Sequence, residues 1–360
     1  MKSRHYVLVL GLALSPGSTF AQQGSDFTLD AAGRKAVIDG LLERIEKTYV
    51  LPDVAQKMEE AIRARQARKE YDAITSGPEF AQALTRHLRE VCHDRHLAVE
   101  FFPGGVQYDA AKEPSAEDIE QFRRSGARRN YEFRKVERLD GGVGLLQVDG
   151  FFPARWTGET MAAAMTFLAS GDAVILDLRY NGGGDPSGVL LLCSYFFDEP
   201  AQLSDRYNRS EGTIHQSWTQ AFVTGQRMVD KDLYILTSSR TFSAPEALAY
   251  DMQVLKRATI VGEQTGGGAH GTTSFGITDH FSARIPFSRA INPVTKSDWE
   301  GTGVKPDVAV RADRALLVAH LMALRKALSK ATDKGVSNEL EETIAAKEGE
   351  LKALEAEGKP

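Results

Sequence analysis

The run Ala173-Val-Ile-Leu-Asp-Leu178 carries one charged side chain and is closed by Asn181-Gly-Gly-Gly-Asp185. A short, nearly continuous apolar run bounded by glycines is expected of a strand buried on both faces, as in parallel sheets covered by helices. An apolar helix is expected next, over Val189–Phe197. The same plan recurs downstream, where Leu233–Leu236 reads as a strand, a Ser/Thr-rich turn follows, and a helix opens at Ser243. A third strand, Thr259–Val261, leads into Gly266–Gly268. Repeated strand–turn–helix units imply an α/β core. Shorter strands are expected at Ala98–Phe102 and Val143–Val148, with Gly141-Gly142 breaking the chain before the second.

Upstream of this core the texture is helical over residues 28–91. Leu29, Val37, Ile38, Leu41, Leu42 and Ile45 recur at helical spacing, with Gly40 a weak point. Further helices fit Val54–Arg68 and Pro78–Val91, the second opened by Ser76-Gly-Pro78. The segment Asp109–Arg128 is charged and poor in apolar residues, and reads as a mobile cover. The tail, Asn338–Glu357, is rich in Glu, Ala, Lys and Leu and reads as an exposed amphipathic helix. The expected organisation is a leader at 1–21, a helical domain at 22–96, a core at 97–330 and the helical tail at 331–360.

Ser243 is the leading candidate for chemistry. A serine at the junction of a buried strand and a helix sits beside the backbone N–H groups of the helix start, where negative charge is favoured. A serine nucleophile needs such donors, because its tetrahedral intermediate carries an oxyanion. The competing reading is purely structural. Ser243-Ala-Pro-Glu246 also fits a capping box, with Pro245 in the first turn.

Three further segments offer partners. His96, in Cys92-His-Asp-Arg-His-Leu97, lies where helix hands over to strand and suits a general base, with His93 as its rival. The turn Asn181–Gly184 can point successive N–H groups inward as an anion nest, or serve as a plain turn. Glu300, in Trp299-Glu-Gly-Thr-Gly-Val304, can orient an imidazole or stand as an exposed turn residue. Lysine as the base is disfavoured, since Lys256 falls more than three turns along the helix from Ser243.

The N-terminus reads as a secretory leader, with Lys2 and Arg4, an apolar run Tyr6–Leu14 and small residues to Ala21. That run is shorter than the ~20 residues a membrane-spanning helix needs. A soluble, exported, periplasmic protein without stable membrane insertion is expected. The net charge of −5 and the lack of a dense basic block argue against nucleic acid as a partner. Cys92 and Cys193, the two cysteines, suit either a disulfide or two buried thiols. No metal-ligand or cofactor-binding spacing is present, so neither a metal nor a cofactor is expected.

Taken together, the segments resemble the tail-specific, or C-terminal-processing, serine peptidase family. The resemblance is to its branch related to interphotoreceptor retinoid-binding protein and the tricorn protease core. It is carried by Val174-Ile-Leu-Asp-Leu-Arg-Tyr-Asn-Gly-Gly-Gly184, Thr237-Ser-Ser-Arg-Thr-Phe-Ser-Ala-Pro-Glu246, Arg257-Ala-Thr-Ile-Val-Gly-Glu-Gln-Thr-Gly-Gly-Gly268 and Trp299-Glu-Gly-Thr-Gly-Val-Lys-Pro-Asp307. It implies a crotonase-like core of ββα units after a helical domain. It also implies Ser243 as nucleophile, His96 as base, Glu300 completing the relay, and the amides of Ala244, Gly182 and Gly183 as oxyanion donors. The lysine of dyad members is replaced by Gly266–Gly268, which leaves a Ser–His–Glu arrangement. Arg95 stands where tricorn-like members carry a serine, and no PDZ segment separates the helical module from the core. The implied activity is endopeptidase cleavage of peptides or unfolded protein segments. The alternative is a non-catalytic protein binding hydrophobic, retinoid-like ligands in the same cleft. Crotonase-type acyl-thioester chemistry has no coenzyme A pocket to support it. The helical tail offers a surface for pairing into a homo-oligomer.

Overall fold

The computed structural model describes residues 27–112 and 114–357, so the expected leader at 1–21 lies outside the described residues. The chain forms two compact units, each assembled from separated stretches. The first runs through Glu120 and adds Asp205–His215 and Gly268–Ile291; the second holds Gln121–Ser204, Gln216–Gly267 and the chain from Asn292 onward. The boundary expected at 96/97 falls inside the first unit, because Ala98–Phe101 pairs antiparallel with Phe281–Ile291 there.

In the first unit, helices Ala31–Thr48, Pro52–Ala67 and Gly77–Cys92 carry the expected apolar stripes. Val37, Ile38, Leu41, Leu42 and Ile45 are all buried, in one core with Phe80, Leu84, Phe281 and Ile285. Asp30 caps the first helix by accepting from the Gly33 N–H at 2.7 Å. The weak point at Gly40 has a packing reason, since an added Cβ would stand 3.1 Å from Ile277 Cγ2. Phe281–Ile291 is the spine of a five-stranded antiparallel sheet. Ala98–Phe101 and Asp205–Asn208 pair with it in turn, Thr213–His215 pairs with the latter, and His270–Gly276 also pairs with the spine. The register shifts between Pro286 and Ser288, so the proline sits at an irregularity where a missing N–H is tolerated.

The second unit is built on a six-stranded sheet. Its order is Val308–Ala309, Thr259–Gly262, Asp232–Thr237, Ala173–Asp177, Val143–Val148 and Phe133–Leu139. All neighbours are parallel except the last pair. Every residue of Ala173–Asp177 is buried, as its apolar run requires. Helix Ala312–Lys330 covers one face with Ala315, Ala319, Ala323 and Leu324. The tail helix, Lys334–Glu357, lies on it and contributes Leu340 to the same core, so part of its apolar side is used within the chain. Helices Ala154–Leu168, Pro186–Ser194 and Ala244–Val254 pack in succession. The resulting architecture is mixed α/β with a helical N-terminal region.

Both cysteines are free thiols. Burial pushes Cys92 up to about 11 and Cys193 well above its ordinary value, which keeps both protonated and inert at neutral pH. Among the described residues no helix is long and apolar enough to cross a membrane.

Candidate active site

Ser243 sits where the sequence places it, at the start of helix Ala244–Val254, and Glu246 reaches back to the Ser243 N–H as the S-x-x-E pattern expects. Its backbone is nevertheless unlike an ordinary cap. An N-cap residue has extended φ/ψ; Ser243 has φ +67° and ψ −115°. A side chain other than glycine is strained there, and such strain persists only when the surroundings enforce it.

The enforcing contacts are visible. Strand Asp232–Thr237 ends in a turn whose hydroxyls stitch it to the segment after the neighbouring strand Ala173–Asp177. Ser238 Oγ donates to the Arg179 carbonyl at 2.5 Å and Thr241 Oγ1 to the Leu178 carbonyl at 2.9 Å. The Phe242 N–H reaches the Asn181 carbonyl at 3.1 Å. These three bonds lay the serine turn against the glycine turn. At Gly183, φ +132°, an added Cβ would stand 3.3 Å from Ser243 Cβ and 3.7 Å from Ser243 Oγ. Gly184 is equally constrained, because a Cβ would be 2.0 Å from the Phe151 carbonyl oxygen. Buried Asn181 locks the turn, donating from Nδ2 to the Val148 carbonyl and accepting the Gly183 N–H, each at 3.0 Å. The Gly183 amide, expected as an oxyanion donor, is therefore already engaged. Gly182 lies on the exposed side of the turn. Ala244 heads the helix, where N–H groups lack intrahelical acceptors.

Glu246 does more than the capping box required of it. It is fully buried and its carboxylate takes three donors. Oε2 accepts the Ser243 N–H at 2.7 Å, while Oε1 accepts the Thr265 hydroxyl at 2.5 Å and the Gly267 N–H at 2.7 Å. Thr265 Oγ1 in turn accepts the Val304 N–H at 2.7 Å, and the Gly301 N–H reaches the Gly267 carbonyl at 3.0 Å. One buried carboxylate thus ties the serine turn to the Thr265–Gly267 loop, and that loop to the turn carrying Glu300. The Trp299 ring, against Tyr250 with centroids 5.2 Å apart, packs the same turn onto the serine helix. Glu300 is half-buried, its N–H bonded to Asp298 Oδ1 at 2.8 Å. Ser243, Ala244, Gly182, Gly183 and Glu300 all belong to the second unit.

His96 belongs to the first unit, and it is buried. Helix Gly77–Cys92 ends with His93 in the left-handed region at φ 55°, which spends His93 as a cap. Asp94 then turns inward and accepts the His96 N–H at Oδ1, 2.9 Å away. Arg284 Nε donates to the His96 carbonyl at 3.1 Å, and Arg89 donates to the carbonyls of Leu97 and Arg95, both at 2.7 Å. Burial is the main reason the His96 imidazole is pushed down to about 4; Asp94 opposes this, while Arg284, His270 and Arg89 add to it. Asp94 and His270 carry no local sequence signal and were not among the expected site residues. Their hydrogen bond, His270 Nδ1 to Asp94 Oδ2 at 2.6 Å, joins positions 176 residues apart.

Two independent sequence matches decide the family. Residues 142–310 match the family described as peptidase family S41, and residues 31–127 match the N-terminal domain of that family in eukaryotic IRBP. The chain belongs to peptidase family S41. Its S41 match contains the serine and glycine turns and Glu300, and the N-terminal match contains His96. One relative, the carboxyl-terminal-processing protease of Synechocystis sp. (strain ATCC 27184 / PCC 6803 / Kazusa), is 29% identical over 141 residues. That match takes in 39% of this chain and 31% of the relative's own length. Mature CPAF shares the fold with a TM-score of 0.58 at 11% identity, over 83% of this chain and 99% of its own. The tricorn protease does so with a TM-score of 0.52 at 13% identity, over 88% of this chain and 37% of its own.

Proposed function

We propose that the protein is a serine-type endopeptidase that hydrolyses peptide bonds in peptides or unfolded protein segments, using a crotonase-like core. Ser243 attacks the scissile carbonyl. His96 takes the serine proton and returns it to the leaving amine, and Glu300 orients the imidazole and favours its charged form. The amides of Ala244 and Gly182 hold the oxyanion, while Gly183, side-chain-free and bonded to Asn181, keeps the nest against the nucleophile. The observation that carries this reading is the backbone of Ser243. A residue that only capped a helix would have no reason to hold φ +67° against a glycine nest. Family membership and the processing-protease relative support the same chemistry.

The basic-then-apolar start of the sequence supports export, and a periplasmic site of action is part of this reading. Ligand binding without turnover has one finding in its favour, the match of residues 31–127 to the IRBP-type domain. A binder, however, gains nothing from a strained serine. Fluorophosphonate labelling of the purified mature protein separates the two. We expect wild type to be labelled and Ser243→Ala and His96→Ala to lose the label while keeping their fold. A folded wild type that stays unlabelled and carries bound lipid would sink the peptidase reading.

A further inference from the structure

Two histidines converge on one buried aspartate in the first unit, and the mechanism above uses only one of them. Asp94 is 1% exposed, and both its oxygens are occupied. Oδ1 accepts the His96 N–H at 2.9 Å and lies 3.9 Å from His96 Nδ1. Oδ2 is 2.6 Å from His270 Nδ1 and 3.3 Å from the Tyr49 hydroxyl. We infer that Asp94, anchored by His270 and Tyr49, is, in addition to Glu300, a second positioning residue of His96. It holds the base at its own backbone and keeps a negative charge beside its Nδ1. The inference rests on the reading of His96 as general base.

The physical case has two parts. A carboxylate this buried is stable only with donors on it, and burial alone raises its affinity for a proton. The His270 hydrogen bond is the largest influence in the other direction, and Asp94 ends below its ordinary value, that is, ionised. His96 has the opposite difficulty. It is buried, and Arg284, Arg89 and His270 all disfavour the imidazolium that must form during proton transfer. Asp94 works against them. Charge at 3.9 Å in a poorly solvated site acts without direct hydrogen bonding. His270 therefore serves the base through Asp94, and touches no substrate in this scheme.

The arrangement also explains a sequence detail. His270 opens strand His270–Gly276 immediately after the glycines Gly266–Gly268. The strand is pinned to the spine of its sheet from His270 onward, opposite Arg289. The ring that holds Asp94 is thus fixed by a sheet rather than by a loop, which is what a positioning group needs.

The test uses the full mature chain. In a Ser243→Ala background, NMR titration of the His96 Cε1–H reads its proton affinity directly. We expect Asp94→Asn to move that midpoint to lower pH. With active-site serine intact, Asp94→Asn should lower kcat by roughly 10²-fold with KM nearly unchanged. His270→Asn keeps an N–H for Oδ2 and should stay within about threefold of wild type, whereas His270→Leu should lose about tenfold or more. If Asp94→Asn fails to fold, the two His270 variants decide. A folded Asp94→Asn with the wild-type His96 midpoint and kcat would overturn the inference, as would equal losses in the two His270 variants. His96→Ala run alongside keeps the failures apart. Wild-type turnover in His96→Ala rejects the base, and the inference with it; an inactive His96→Ala beside unaffected Asp94 and His270 variants rejects the inference alone.

Discussion

Ser76-Gly-Pro-Glu79 and Ser243-Ala-Pro-Glu246 are the same four-residue pattern, and each starts a helix. Ser76 is an ordinary cap, with φ −85°, ψ 126° and its side chain accepting from the Glu79 N–H at 3.4 Å. Glu79 is exposed. Ser243 adopts φ +67°, ψ −115°, and its glutamate is fully buried under three donors. Local sequence cannot tell the two apart. What differs is the tertiary frame, since only the second motif follows a buried parallel strand and meets a glycine turn. The strain at Ser243 is imposed from outside the motif.

The contrast can be broken most directly at the two serines. Ser243→Ala should cost at least about 10⁴-fold in kcat. Ser76→Ala should leave turnover untouched and cost about 1 kcal/mol in chemical denaturation. The glutamates come next. Glu246→Gln must turn an NH₂ toward either the Ser243 N–H or the Gly267 N–H, so kcat should fall by roughly 10²-fold. Glu79→Gln should shift stability by no more than about 0.5 kcal/mol and leave turnover alone. Equal effects of the two substitutions would dissolve the comparison.

The pH profile sharpens it further. A base acts only when neutral, and the His96 imidazole is held down to about 4 by burial. The acid limb of kcat/KM should therefore lie well below the ordinary histidine value of about 6.5, with activity largely retained between roughly pH 5 and 7. A limb at the ordinary value would mean that another group, or a solvated His96, titrates. The smallest effect has the clearest sign. Ser243→Gly should raise stability by about 1 kcal/mol by relieving the positive φ, whereas Ser76→Gly should lower it by a few tenths. Calorimetric melting of the two glycine variants checks this.

Much of the second unit was legible from pattern alone. Val143–Leu146 and Ala173–Leu176 are unbroken apolar runs, and the serine corner follows a strand with a similar run. The stripe Val37–Ile45 was equally plain. The spine strand Phe281–Ile291 was missed because Arg284, Arg289 and a mid-strand Pro286 hide its alternation; only the register shift makes the proline tolerable. Asp94 and His270 were missed for another reason. Their meaning lies in a hydrogen bond across 176 residues, and no local period encodes it. Glu246 fits half of a capping box from local sequence, and it forms that half. Its link to the Thr265–Gly267 loop belongs to the fold.

The separated stretches that make up the first unit bear on when this protein can act. A chain still being synthesised emerges from its N-terminus, so His96 and Asp94 appear long before His270 and the spine strand that completes their sheet. Until residues past Ile291 are free, the histidine's surroundings stay open and the sheet lacks its centre. On the reading of His96 as base, the order of synthesis alone withholds a finished site until most of the chain exists.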